Sequence, residues 1–268
     1  MLSRYRVALL FLLMALPFLP ALAQSTEQLQ VGPPPLHRAE PPAPGASAEE
    51  LENRGDQLRA DKSFLDAIDY YEAALKKSPN NAALFNKIGM SQLGLQRLKE
   101  ATKSFGRAIK ADHTHANAYN NLAVTYYLER NYNKAIKQYD KAIAIDGDAA
   151  SFYINRGTAY FAKKELAKAA MDYAKAMAVD PDILERSSRS GVMAQLSSPE
   201  DRARYDYVLA KLYAKMGVAE RSLHYLKKAM EEGYKDIQNV YKDNEFTELR
   251  KDPRFGELMA AKTPAIQE

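Results

Sequence analysis

Between positions 48 and 181 the sequence repeats itself with a period of about 34 residues, and no other feature constrains the fold as strongly. Each period contains a large residue, a small residue four positions later, and then an alanine, an aromatic residue and a second alanine. A fixed period of this length indicates a stacked array of supersecondary units. In repeat order, these positions hold Leu51, Phe85, Tyr119 and Tyr153; Gly55, Gly89, Ala123 and Gly157; Ala67, Ala101, Ala135 and Ala169; Tyr71, Phe105, Tyr139 and Tyr173; and Ala74, Ala108, Ala142 and Ala176.

The third repeat shows why each unit is predicted to be a pair of helices. Its first half carries apolar residues at the spacing i, i+3, i+4, i+7, which places them on one helix face, and the apolar residues of its second half are again at helical spacing. The two sets are Tyr119, Leu122, Ala123 and Tyr126, and then Ala135, Ile136, Tyr139, Ala142 and Ile143. A single αα-hairpin cannot bury both faces, so neighbouring hairpins must stack. The predicted fold class is therefore all-α, an αα-hairpin solenoid.

The repeat resembles the tetratricopeptide repeat (TPR), whose pattern W-x2-L-G-x2-Y…A-x3-F…P it matches almost position by position. It departs from the pattern in having no Trp and in placing Gln92 where the second repeat should carry a Tyr. Pro79 and Pro181 close two repeats, and His113 and Gly147 take that position in the others. The resemblance implies a right-handed superhelix whose concave face is lined by the first helix of each repeat.

The start of the chain is predicted to be a cleaved signal peptide at 1–23. Two arginines precede an unbroken apolar run, and Ala21-Leu22-Ala23 fits an A-x-A cleavage site. The alternative is a membrane anchor, but the run is short and prolines interrupt its continuation. We therefore expect an exported protein, periplasmic or extracellular, with no membrane span after cleavage.

The remaining boundaries follow from composition and from the register of the repeats. Residues 24–47 are predicted to be a Pro-rich disordered linker, because they lack the apolar content for a core. The predicted segments after it are four repeats at 48–81, 82–115, 116–149 and 150–181, an insertion at 182–202, a fifth, divergent TPR-like hairpin at 203–236, and C-terminal capping helices with a tail at 237–268.

Local signals mark several helix ends beyond the fourth repeat. The run Ser198-Pro199-Glu200-Asp201 is typical of a helix start. Gly217 is predicted to separate the two helices of the fifth hairpin, in which Ser222 takes a position that the family gives to Ala. The stretches 243–249 and 252–258 are predicted to be two short helices that each present one Phe and one Leu, and that cap the array.

Nothing in the sequence indicates catalysis. The chain has no cysteine and none of the nucleophile, zinc or phosphate-loop motifs that mark common enzyme classes. His113 and His115 stand beside Asp112 and are conceivable metal ligands, but a solvated turn explains them better. The net charge of +4 is carried by scattered lysines, which does not favour nucleic acid. We predict a protein that is not an enzyme and has no cofactor and no metal.

The function is therefore predicted to be binding, at the concave face that the resemblance implies. Four positions equivalent by register, Asn53, Lys87, Asn121 and Asn155, form a ladder that either holds the backbone of a bound peptide or bonds across to the next helix. The predicted groove residues are Glu52, Asn53, Asp56, Asn86, Lys87, Met90, Asn120, Asn121, Val124, Tyr127, Ile154, Asn155, Thr158 and Phe161. The same family positions include an outer row formed by Glu49, Ala83, Asn117 and Ser151.

Charge is predicted to vary along this groove, from acidic residues in the first repeat to Arg204, Lys211 and Lys215 in the fifth hairpin. The alternative is that Tyr127 and Phe161 are covered by the superhelix itself or by the C-terminal helices, which would leave no usable groove. Two functions follow: a non-catalytic scaffold of the periplasm or cell envelope that binds a protein or peptide segment, or an accessory subunit of an envelope enzyme or secretion machine. The sequence identifies neither the partner nor the oligomeric state.

Overall fold

A computed structural model describes residues 39–183 and 198–261, and all regular structure in these ranges is helical. Its first eight helices form four consecutive hairpins, and a fifth hairpin follows, so the predicted αα-hairpin solenoid is confirmed. The helices are α1 (Ala48–Ala60), α2 (Phe64–Lys77), α3 (Ala82–Gly94), α4 (Leu98–Ala111), α5 (Ala116–Leu128), α6 (Tyr132–Ile145), α7 (Ala150–Ala162), α8 (Leu166–Val179), α9 (Pro199–Lys215), α10 (Ala219–Glu231) and α11 (Pro253–Ala260). The predicted signal peptide and most of the predicted linker and insertion lie outside the described residues.

The two helices of each hairpin are joined by the same tight turn. One residue of the turn has a positive φ, and in the first four repeats it is not a glycine: Lys62, Gln96, Arg130 and Lys164. This left-handed conformation ends the first helix and lets the following amide bond back to it, as Asn131 N does to the Tyr126 carbonyl at 2.8 Å. In the fifth hairpin Gly217 takes this role with a φ of 75°, at the break that the sequence predicts.

The periodic residues form the core because they bring the two helices of a hairpin into close contact. In the first four repeats, the aromatic residue of the second helix lies against the small residue of the first helix. At Gly89 a Cβ atom would lie only 2.5 Å from Cε1 of Phe105, and at Gly55 it would lie 2.5 Å from Cε1 of Tyr71. The alanines on either side of the aromatic residue, such as Ala101 and Ala108, are fully buried. The residues that recur in the sequence are therefore those that pack the two helices of a hairpin together.

The described end of the predicted linker contacts the first repeat. Ala39 and Ala46 pack against its core, and the Tyr70 hydroxyl donates a hydrogen bond to the Glu40 carbonyl at 3.0 Å. Ser47 then begins α1 with a capping box, since its hydroxyl accepts from the Glu50 amide while the Glu50 carboxylate accepts from the Ser47 amide. From residue 39 onward, this segment therefore differs from a free spacer.

The fifth hairpin starts earlier than its predicted boundary at 203. Its first helix, α9, begins at Pro199, and the Ser198 hydroxyl accepts from the Asp201 amide at 3.1 Å, as the local motif predicts. Ser222 is fully buried in the position that the family gives to Ala. Its hydroxyl donates to the Ala210 carbonyl at 2.7 Å, so a polar side chain fits between α9 and α10 without an unpaired group.

The C-terminal region caps the array with shorter elements than predicted. The predicted helix at 243–249 is replaced by 3-10 turns at Asn244–Phe246 and Leu249–Lys251, after a further 3-10 turn at Ile237–Tyr241. The Arg250 guanidinium holds these turns together by donating to the carbonyls of Val240 and Asp243 at 2.9 and 3.0 Å. The helix predicted at 252–258 is present as α11. The capping residues Phe246, Leu249 and Phe255 are buried together with Tyr207 and Leu226.

One buried carboxylate lies between α9 and α10. Asp206 is 4% exposed, and its Oδ1 lies 3.6 Å from Nζ of Lys228. Burial raises the pKa of Asp206 to about 6, and the nearby Glu232 carboxylate reinforces this rise against the opposing charge of Lys228. The folded protein therefore holds a proton at Asp206 over a pH range in which the unfolded chain has lost it.

We predict that Gly89→Ala destabilises the protein by about 1–3 kcal/mol, because the added methyl group must displace the Phe105 ring from a packed core. Gly106→Ala is the matched control. Gly106 also lies within a helix, but it is exposed and a Cβ there meets nothing within 4 Å. The control should stabilise the protein by about 0.5–1 kcal/mol through helix propensity. Urea unfolding of both variants measures the two effects, and equal shifts of the midpoint would contradict the packing described here.

We predict that Asp206→Asn stabilises the protein near neutral pH. The raised pKa means that ionised Asp206 costs stability as pH rises from about 4 to about 6, and the full cost, up to about 3 kcal/mol, applies above that range. The amide carries no charge, so the variant should be more stable than the parent at about pH 7.5, and the difference should vanish near pH 4. Urea unfolding at both pH values tests this. A variant less stable than the parent at pH 7.5 would show that the Lys228 ion pair outweighs burial.

Candidate protein-interaction surface

The asparagines of the predicted groove bond to one another across successive first helices. Nδ2 of Asn155 donates to Oδ1 of Asn120 at 2.9 Å, and Nδ2 of Asn120 donates to Oδ1 of Asn121 at 3.2 Å. Asn121 in turn donates to Oδ1 of Asn86 at 3.0 Å. This amide chain links α3, α5 and α7, so the ladder bonds across to the next helix, which is one of its two predicted roles. Asn53, at the same repeat position, is exposed.

Lys87 replaces the asparagine of the second repeat and partly neutralises the acidic end of the groove. Its Nζ lies 2.6 Å from both Oε1 of Glu52 and Oδ2 of Asp56, and the Tyr71 hydroxyl donates to Asp56 at 2.8 Å. Burial opposes the charge on Lys87, but the hydrogen bonds to Asp56 and Glu52 outweigh burial and raise its pKa. The carboxylates of the first repeat therefore already have a cation, supplied by the next helix.

The apolar floor of the groove is accessible in the second and third repeats. Met90, Leu93 and Tyr127 are half-buried, whereas Val124 is buried. The Tyr127 ring lies 5.3 Å from the ring of Tyr132. Burial raises the pKa of the Tyr127 phenol to about 12, with smaller contributions from Tyr132 and from the Asp201 carboxylate at the start of α9.

In the fourth repeat, the predicted floor is covered. Phe161 is 3% exposed, and Ile154 and Thr158 are also buried. The ring of Tyr205 in α9 stands edge-on to Phe161 and to Tyr173, with centroids 5.6 Å apart in both pairs. These three predicted groove residues are therefore not open to a ligand, because the first helix of the fifth hairpin takes the place that a ligand would need. The predicted groove is shortened to the first three repeats.

The predicted basic end of the groove is also balanced by nearby acids. Arg204 pairs with Glu200 at 3.0 Å, and Lys211 lies 3.0 Å from an oxygen of Asp243 and 3.3 Å from one of Glu245. Together with the Lys87 ion pairs, these contacts remove most of the predicted charge gradient. The outer row remains available, since Glu49, Ala83, Asn117 and Ser151 are all exposed.

A second concave surface, which the sequence reasoning missed, lies between α8 and α9. It is an apolar groove of about 640 Å³. Three alanines of α8 form one wall, and a row of α9 residues forms the other. The lining consists of Leu166, Ala167, Ala170, Met171, Ala174, Tyr207, Val208, Lys211, Leu212, Lys215, Met216 and Glu245. The sequence does contain a signal for this surface. The lining alanines of α8 recur at helical spacing on a face other than the one that packs on α7.

Two negative observations apply to the part of the chain that the structure describes. No group of three His, Asp, Glu or Cys residues there is placed to hold a metal ion. None of the described helices is long and apolar enough to span a bilayer.

Comparison with known proteins agrees with the hairpin geometry. Residues 116–148 and 150–183 each match a tetratricopeptide-repeat family profile. The chain is a tetratricopeptide-repeat protein. Repeats of this family are generally non-catalytic modules for protein interaction. No curated protein matches the chain in sequence.

The chain is similar to several solved TPR proteins. A crystal structure of MamA is 23% identical, over 74% of this chain and 95% of that chain, with a TM-score of 0.48. TTC0263 of Thermus thermophilus is 21% identical, over 80% of this chain and 100% of that chain, with a TM-score of 0.49. MamA of Desulfovibrio magneticus RS-1, from residue 41 to its end, is 16% identical over 75% of this chain and 100% of that chain. Its TM-score of 0.50 supports the fold, and at this identity it supports nothing about function.

We predict that Asn120→Ala destabilises this TPR protein by about 1–3 kcal/mol, because it breaks two links of the amide chain and leaves the Asn155 donor without its partner. Asn117→Ala, in the same helix but at an exposed position, should change stability by less than about 0.5 kcal/mol. Urea unfolding compares the two variants. If Asn120→Ala were as mild as its control, the amide chain would contribute nothing to the stacking of the repeats.

Proposed function

We propose that this protein is an exported, non-catalytic scaffold that binds a protein or peptide segment along the concave face of its first three repeats. The observation that supports this most directly is the surface left open there. A half-buried apolar floor formed by Met90, Leu93 and Tyr127 lies beside the exposed outer row of the same repeats. Apolar anchors bordered by polar groups are the usual composition of a protein-interaction site.

The bound segment would be extended, with apolar side chains at its centre. The amide chain holds the asparagines in fixed orientations, and each carboxamide has two N–H donors and an oxygen with two lone pairs. Asn86 and Asn120 are buried, so the hydrogen-bonding capacity that remains for the backbone of a ligand lies with the half-buried Asn121 and Asn155. Most of the binding energy would come from burying Tyr127, since aromatic residues in such positions are often hot spots.

Binding would depend less on charge than the sequence predicts. Lys87 already bonds to Glu52 and Asp56, so a basic ligand would have to compete with an intramolecular ammonium group for both carboxylates. A ligand that is neutral near the first repeat avoids this competition. The proposed export rests on the features of residues 1–23, and a scaffold of the cell envelope would find its partner there.

Photo-crosslinking in the native host tests the proposed face. A photoreactive phenylalanine derivative replaces the exposed Ala83 or Asn117 of the outer row, and Lys137 on the second helix of the third repeat is the control position. We expect the first two positions to crosslink one defined protein in the envelope fraction and the control to crosslink none. Crosslinks from the control position alone would place the partner on another face and reject the proposal.

Once the partner is purified, Tyr127→Ala should weaken its binding by about 2 kcal/mol, or roughly thirtyfold. Tyr241→Ala is a matched control, because Tyr241 is an exposed aromatic residue in the capping region, far along the chain from the groove. Isothermal titration calorimetry measures both affinities. Equal effects of the two substitutions would contradict binding at the concave floor.

A further inference from the structure

The groove between α8 and α9 contains large apolar side chains that are exposed to solvent. Met171 is 69% exposed and Met216 is 47% exposed, and both line the groove. Its volume of about 640 Å³ lies within the range of roughly 300–1,000 Å³ that is usual for ligand sites. Contiguous exposed apolar surface of this kind marks an interaction site more often than isolated exposed residues do.

The groove exists because the fifth hairpin does not dock on the fourth as the earlier hairpins dock on one another. The insertion separates α8 from α9 along the chain, and α9 is longer than the other first helices, with 17 residues against 13 in α7. Near the α9 N-terminus, Tyr205 closes against Phe161 and Tyr173. At its C-terminal end, Leu212 and Met216 line the groove together with Leu166 and Ala170.

The shape of the walls favours a helix as occupant. Ala167, Ala170 and Ala174 stand at the spacing i, i+3, i+7 on α8, and their short side chains allow another backbone to approach closely. Methionine is flexible and polarizable, so Met171 and Met216 can adapt to the apolar side chains of a partner. An amphipathic helix presents such side chains on one face.

Charge at one end of the groove indicates the polarity of that helix. Lys211 is already paired with Asp243 and Glu245, as described above. Lys215 also lines the groove, and Lys164 precedes the lining residue Leu166 by two positions. In the described ranges, neither Lys215 nor Lys164 forms an ion pair with a carboxylate. Within those ranges, Lys215 therefore places at this end of the groove a positive charge that no carboxylate pairs with.

We propose that the α8–α9 groove docks an amphipathic helix of another protein, with apolar side chains on one face and carboxylates at the end that reaches Lys215. The alanine wall and the exposed methionines suit the apolar face of such a helix, and Lys215, which pairs with no described carboxylate, suits its acidic end. The groove is separate from the concave floor at Tyr127, so this proposal and the proposed concave-face binding can fail independently.

Two synthetic helical peptides of about five turns test the proposal on the full chain. Both carry leucine and methionine at the spacing i, i+3, i+4, i+7, and they differ only in having three glutamates or three lysines at one end. We expect the glutamate peptide to bind with a Kd of about 1–100 μM by fluorescence anisotropy. The lysine peptide should bind at least tenfold more weakly, and Lys215→Glu should reverse this order.

Matched variants locate the binding. Met171→Asp should weaken binding of the glutamate peptide at least tenfold. Val179→Asp should leave the affinity unchanged, because Val179 is exposed on the same helix but does not line the groove. Both residues are exposed, so neither substitution disturbs the core. Lys175→Glu, at an exposed α8 position outside the groove, is the charge control for Lys215→Glu.

Three results would overturn the proposal. The first is the absence of binding of either peptide at millimolar concentration. The second is binding that Tyr127→Ala abolishes and Met171→Asp leaves intact, since that would place the peptide on the concave face. The third is self-association of the chain that Met171→Asp abolishes in sedimentation analysis, which would make a second copy the occupant.

Discussion

The close contact between a small residue of the first helix and an aromatic ring of the second determines the geometry of every regular repeat. At Gly55, Gly89 and Gly157 the ring occupies the space in which a side chain would begin, so the helices approach closely and the ring is removed from water. The distance between the two helices then determines which faces remain for the next hairpin. Because each repeat makes this contact by itself, the stability of the array accumulates from neighbour to neighbour.

Local features of the fold could be predicted because their causes lie within a few residues. The helix start at Ser198 depends on one hydroxyl and the amide three residues later, and the break at Gly217 depends on a positive φ. The turns at Lys62 and Arg130 have the same conformation without a glycine, so sequence alone gave no sign of it. The helix predicted at 243–249 is wrong. The spacing of Phe246 and Leu249 suits a helix, whereas the Arg250 hydrogen bonds favour separate 3-10 turns.

The candidate site was harder to predict because its contacts join residues far apart in the chain. The register placed Lys87, Asn121 and Asn155 on one face, but it did not show that Lys87 would be held by Glu52 and Asp56 of the preceding repeat. The burial of Phe161 could not be predicted from the residues near it in the sequence. It depends on where Tyr205 lies, and that position is set by a helix that follows an insertion with no repeat register.

The same irregular docking of α9 has opposite effects on two surfaces. At Tyr205 it seals the concave floor of the fourth repeat, and toward Lys215 it leaves the alanine wall of α8 uncovered. The two open surfaces therefore differ in chemistry. The concave face offers fixed amides and suits an extended backbone, whereas the α8–α9 groove offers apolar walls and suits the side chains of a helix. A chain with two such surfaces could hold two different segments at the same time. That capacity distinguishes a scaffold from a simple peptide receptor, and under the two proposals it would arise from the one hairpin that departs from the repeat.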